Sequence, residues 1–83
     1  MNQKNFLSEE LKKIFKKELN IKVNLSSKYL DFKEWDSIGN FNILLASEEK
    51  FKIKFSTNEF GKLNSFKEIL DVIKKKTKKH KKT

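Results

Sequence analysis

The stretch Glu34-Trp35-Asp36-Ser37-Ile38-Gly39 sets a serine hydroxyl directly after an acidic residue, where a long irregular segment gives way to an amphipathic run. In the first turn of a helix such a hydroxyl is accessible. The orphan N–H groups and the positive dipole end favour an anion there, so a phosphate ester on Ser37 would sit in a suitable field. The competing reading is that Ser37 only caps the helix. Local sequence favours the cap, because serine is among the commonest cap residues and no histidine lies near to activate the hydroxyl as a nucleophile. Other chemistries are poorly supplied. The chain has no Cys, which removes disulfides, thiolate catalysis and sulfur ligation, and its one histidine, His80, stands inside a lysine run.

The elements that must present Ser37 are short enough to enumerate. Eighty-three residues make one small domain with room for a single core. Leu7, Leu11, Ile14, Phe15 and Leu19 recur at the spacing of one helical face, with Glu9 and Glu10 expected in its first turn and Asn20 as its stop. From Ile21 to Trp35 the periodicity fails, which predicts a long connection pinned by Leu25, Tyr29, Leu30, Phe32 and Trp35. A second helix is expected from Asp36 or Ser37 to about Phe51, begun by an acidic cap residue. Ser56-x-x-Glu59 is a capping box that opens a short helix toward Leu63, and Ser65-x-x-Glu68 opens another whose apolar face is Phe66, Ile69, Leu70 and Ile73.

Two segments, Ile21 to Leu25 and Phe51 to Phe55, alternate with period two as half-buried strands do. Two short strands alone make a marginal sheet, whereas a loop alternates whenever every second side chain dips into a helical core. The expectation is therefore an all-α fold: a small four-helix bundle with three longer helices, a short third helix and a long loop between the first two. Residues 1–73 form the domain, and residues 74–83 are expected to be a disordered, lysine-rich tail, since they contain no apolar side chain to bury.

On the wheel of the second helix, Ile43, Leu44, Ser47 and Phe51 mark the core side. Ile38, Asn42, Leu45 and Glu49 fall together on another side, with Glu48 close by. This suggests a docking surface that begins beside Ser37. The alternative is that Phe41 widens the core-facing arc enough to bury Ile38 and Leu45.

The span from Phe6 to Ile73 resembles the acyl carrier proteins and related thiolation domains. Asp36-Ser37-Ile38 stands where that family has its Asp-Ser-Leu signature. Leu44 to Phe51 looks like the end of the family's second helix, Phe55-Ser56 the approach to its third, and Ser65 to Ile73 its fourth. The resemblance implies a carrier and not an enzyme. A phosphopantetheinyl transferase would attach 4′-phosphopantetheine from coenzyme A to Ser37, and the thiol of that arm would hold an acyl or aminoacyl group as a thioester for loading and transfer enzymes. It would explain the absent base and the absent cysteine, since the transferase supplies activation and the cofactor supplies sulfur. By the same resemblance Asp36 serves transferase recognition, while Ile38, Asn42, Leu45, Glu48 and Glu49 face partners. Phe32, Phe41, Leu44, Phe55, Phe60, Leu63 and Ile69 would line the core of a monomer working in the cytoplasm.

The charge departs from the family's pattern. Fatty-acid carriers are usually acidic, whereas this chain has a formal net charge of +9, and Gly39, Asn40 and Asn42 occupy positions where acids are frequent. Trp35 and Gly39 look more like stand-alone carriers of dedicated pathways, although Trp35 also reads simply as a clamp between loop and helix. Most of the basicity lies in seven lysines of residues 74–83, and all twenty basic residues are Lys, so the bidentate fork of Arg is missing. The lysines motivate a second function, a small nucleic-acid-binding module. They also motivate a weak contact of the tail with anionic membrane, beside the plain reading of a solvated end.

Overall fold

A computed structural model describes the backbone of residues 3–82 and the side chains of residues 6–77. Its elements are α1 Gln3–Leu19, α2 Ser37–Phe51, α3 Thr57–Lys62 and α4 Phe66–Lys82. No strand forms among the described residues; the one β-type pairing is an isolated antiparallel bridge between Lys28 and Ser65. The expected all-α fold with a short third helix is the fold observed.

Three faces meet in one core. Leu11 and Phe15 of α1, Ile43 and Leu44 of α2, and Phe66, Ile69 and Ile73 of α4 are fully excluded from solvent. Burying each such side chain contributes about 1.5–3 kcal/mol, which makes these seven positions the main source of stability. Trp35, from the long loop, fills the middle: its ring meets Phe15 edge-on at 4.7 Å, and Phe15 in turn lies 5.7 Å from Phe66. The period-two segments are irregular chain. Ile21, Val23, Ile53 and Phe55 dip into the core while Lys22, Asn24, Lys52 and Lys54 stay outside, which is the loop explanation of their alternation.

The helix ends are set by local chemistry. Asn20 leaves α1 in the left-handed region, at φ 58°, with its N–H donating to the Lys16 carbonyl at 2.9 Å. At α3 both halves of the Ser56/Glu59 capping box are present. At α4 only half of the expected box forms: Ser65 Oγ accepts from the Glu68 N–H at 3.2 Å, but the Glu68 carboxylate reaches the Asn64 N–H instead of that of Ser65.

Leu25 and Leu30, expected to pin the long loop, are exposed, and two further expectations are corrected. Because α1 already begins at Gln3, Glu9 and Glu10 lie beyond its first turn and act sideways: Glu9 pairs with Lys12, and Glu10 pairs with Lys13 and, at 3.0 Å, with Lys50 of α2. The second concerns residues 74–83. The α4 backbone does not stop at Ile73 but continues to Lys82. Lys and Thr carry no backbone bar to helix, and the first added turn is held in place: Thr77 Oγ1 donates to the Ile73 carbonyl at 2.9 Å and Lys76 pairs with Glu59 of α3 at 3.1 Å. The expected tail disorder falls partly on side chains 78–83, which lie outside the described residues.

Candidate functional site

Ser37 opens α2, and Asp36 is its N-cap. The Asp36 backbone is extended, and its Oδ1 accepts from the Gly39 N–H at 2.9 Å. The two neighbours thus divide the work: Asp36 caps, and the Ser37 side chain stays exposed and available. The acidic residue expected to begin the helix is its cap, and the competing reading of Ser37 as only a cap is not what the structure shows.

The loop is locked against the start of α2 by packing and polar contacts. A Cβ at position 39 would collide with the Glu34 carbonyl oxygen and crowd Leu19, so only glycine lets the loop cross α2 this closely. Asn40, one residue further, is buried. Its Oδ1 accepts from the Trp35 indole N–H at 2.8 Å, and its Nδ2 donates to the Leu63 carbonyl at the end of α3, also at 2.8 Å. Gly39 and Asn40 therefore answer steric and hydrogen-bonding demands that an acidic side chain would not meet. Trp35 is the clamp, fully buried.

One contact reaches Ser37 from outside its helix. The Tyr29 hydroxyl lies 3.0 Å from Ser37 Oγ, and either group can donate. Sequence reasoning placed Tyr29 among the loop's anchors and missed this role, because no periodicity links a loop residue to a serine eight positions away.

Most of the residues expected to face partners are exposed. Ile38 is 71% exposed and Leu45 42%, and Asn42 and Glu49 are exposed beside them. Phe41 departs from expectation: it does not line the core but is 50% exposed, 5.2 Å from the half-buried Phe60. It sits at i+3 from Ile38 and i−4 from Leu45, so it lengthens the apolar stripe instead of burying its neighbours. Of the other expected core residues, Leu44, Phe55, Leu63 and Ile69 are buried, and Phe32 and Phe60 pack against the core half-buried. Glu48 is half-buried as well, with Oε2 accepting from the Phe55 N–H at 2.8 Å, so part of this carboxylate is committed to the chain's own backbone. Beyond Leu45, Lys52, Lys54 and Lys76 line an open groove together with Glu48 and Glu49, which gives that end of the face mixed charge.

The chain is similar along most of its length to curated acyl carrier proteins. It is 36% identical over 78 residues to the acyl carrier protein of Buchnera aphidicola subsp. Schizaphis graminum, an alignment covering 90% of this chain and 99% of the relative. The chain belongs to the acyl carrier protein family. The acyl carrier protein of Buchnera aphidicola subsp. Acyrthosiphon pisum is 32% identical over 73 residues, covering 84% of this carrier and 91% of the relative. The solution structure of a holo acyl carrier protein from Geobacter metallireducens superposes with a TM-score of 0.81 at 25% identity, over 92% of this carrier and 91% of that chain. No protein-family model matches the carrier. These relatives offer no support for a nucleic-acid-binding module. No helix among the described residues of the carrier is long and apolar enough to cross a membrane.

Proposed function

We propose that this chain carries acyl or aminoacyl groups on a 4′-phosphopantetheine arm esterified to Ser37. The observation that carries the proposal is the exposed Ser37 hydroxyl in the first turn of α2, freed by the Asp36 cap and adjoining the uncovered stripe Ile38, Phe41 and Leu45, in a member of the acyl carrier family. The residues suit such a group. A phosphodiester on Ser37 would meet the positive end of the α2 dipole, and the nearby Tyr29 hydroxyl is a further donor. When attached, the arm supplies the thiol on which cargo is held as a thioester. The chain itself presents the serine, keeps the loop rigid around it and offers an apolar docking face; it is a carrier and not a catalyst.

The partners in this reading are a phosphopantetheinyl transferase, which would read Asp36 together with Ser37, and enzymes that load and unload the cargo. Ile38, Asn42, Leu45 and Glu49 would face them, with Phe41 added to the stripe and Glu48 offering only its uncommitted oxygen. Gly39 and Asn40 take the place of acids at the head of the docking helix, which leaves the contact there mainly apolar. That, together with the net charge of +9, supports service in a dedicated biosynthetic pathway over general fatty-acid synthesis, by a monomer in the cytoplasm. The extended lysine-rich end of α4 could add a weak attraction to anionic membrane, at about 1 kcal/mol per Lys near the surface.

Incubation with coenzyme A and a promiscuous phosphopantetheinyl transferase tests the proposal by intact-protein mass. The wild-type chain should gain one phosphopantetheine and Ser37→Ala none. Equal gain by both, or none by the wild type, would overturn it.

A further inference from the structure

We infer that Tyr29 is a positioning residue for the modification of Ser37, holding the serine oxygen for transfer and then the phosphodiester that replaces it. The inference rests on the reading of Ser37 as the attachment site.

The hydroxyl contact of 3.0 Å is not an accident of a loose loop. The backbone on both sides of Tyr29 is tied to the rest of the fold. The Tyr29 N–H donates to the Asn64 carbonyl at 2.8 Å, and the Phe66 N–H donates to the Ser27 carbonyl at 3.0 Å, which together dock the loop on the junction of α3 and α4. The Lys28 N–H donates to Asp31 Oδ2 at 2.9 Å, and the Leu30 N–H donates to the Trp35 carbonyl at 3.1 Å. Leu30 itself is held at φ 70°, a left-handed conformation unfavourable to a branched side chain, so neighbouring contacts outweigh its local preference. The half-buried Tyr29 ring packs against the core, and two rotatable bonds then place the hydroxyl. The serine side chain, by contrast, belongs to α2, whose first turn is fixed by the Asp36 cap. Two separately anchored elements meet at one pair of oxygens.

The chemistry gives that meeting a use. In the transfer, Ser37 Oγ loses its proton to a base of the transferase and forms a bond to the β-phosphorus of coenzyme A. The bond from that phosphorus to the bridging oxygen breaks, and 3′,5′-ADP leaves with the electron pair. A Tyr29 O–H donating to Oγ directs the serine proton away from the tyrosine and stabilises the negative charge that develops on Oγ. Once the ester has formed, Oγ has no proton, so the tyrosine hydroxyl can only donate, to an oxygen of the phosphodiester.

The test compares wild type, Tyr29→Phe and Tyr29→Leu with a purified promiscuous transferase and coenzyme A, reading conversion by intact mass across a range of apo-protein concentrations. A neutral hydrogen bond of ordinary strength predicts that Tyr29→Phe lowers kcat about two- to tenfold with KM for the apo protein changed less than about twofold. Tyr29→Leu, which also loses ring packing, should show at least the same fall. The second readout is the phosphorus NMR signal of the modified proteins, which should differ between wild type and Tyr29→Phe by more than the linewidth. An unchanged kcat for Tyr29→Phe, a change confined to KM, or coincident phosphorus signals would each overturn the inference. If the wild-type chain gains no mass, the proposed function fails; if all three proteins are modified at one rate, only the role of Tyr29 does.

Discussion

Asn40 shows how much one side chain can decide. Its amide joins the loop, through the Trp35 indole, to the end of α3, through the Leu63 carbonyl, and both bonds are buried. Deleting it leaves a donor and an acceptor without partners, and each buried unsatisfied group costs about 1–3 kcal/mol. Asn40→Ala is therefore expected to lower unfolding stability by roughly 2–4 kcal/mol in urea titration. A change under about 0.5 kcal/mol would mean that the bridge is not buried in solution. The sequence could not announce this role, because the two partners lie 5 positions before and 23 positions after Asn40. Tyr29 and Ser37 were invisible as a pair for the same reason. Ser37 itself was legible, since the change from irregular chain to helical period falls beside it, and so was the acidic cap that begins α2.

Helices here are joined by a few charged contacts whose worth depends on pH. In α3, six residues long, the Glu59 carboxyl is held below its ordinary value of 4.5, first by the Ser56 backbone N–H that it accepts and then by the Lys76 ammonium of α4, with partial burial opposing. A carboxyl lowered on folding contributes fully above its unfolded pKa, and that contribution is lost as pH falls through the folded value. Wild type should thus be more stable than Glu59→Gln at pH 6, with the difference closing toward pH 3, as read from urea midpoints. A gap that stays constant across that range would show that charge plays no part in the α3 to α4 contact. The element boundaries were legible where side chains act on their own backbone, as at Ser56 and Asn20. They were misread where the controlling contact is tertiary: α4 runs past Ile73, and its first added turn meets α3 through Lys76, which also lies 5.9 Å from the centre of the Phe55 ring.

At the scale of the whole molecule, the charge and the core separate. The buried apolar residues of α4 end at Ile73, and its last described tertiary contacts are those of Lys76. A chain ending at Thr77 loses four lysines and should keep its urea midpoint within the equivalent of about 0.5 kcal/mol. Any binding of the full chain to a polyanion should weaken with salt and with this truncation. Selective nucleic-acid binding that survives removal of residues 78–83 would contradict the carrier reading. Periodicity and capping act within a few residues, so the class of fold, the short third helix, the apolar face of α4 and the serine at the head of α2 are readable along the chain. That Phe41 faces outward, that Gly39 and Asn40 are required by the loop lying on them, and that Tyr29 reaches Ser37 emerges only from the folded chain. Those facts depend on which distant segments are brought within a few ångströms, and no local pattern encodes such a distance.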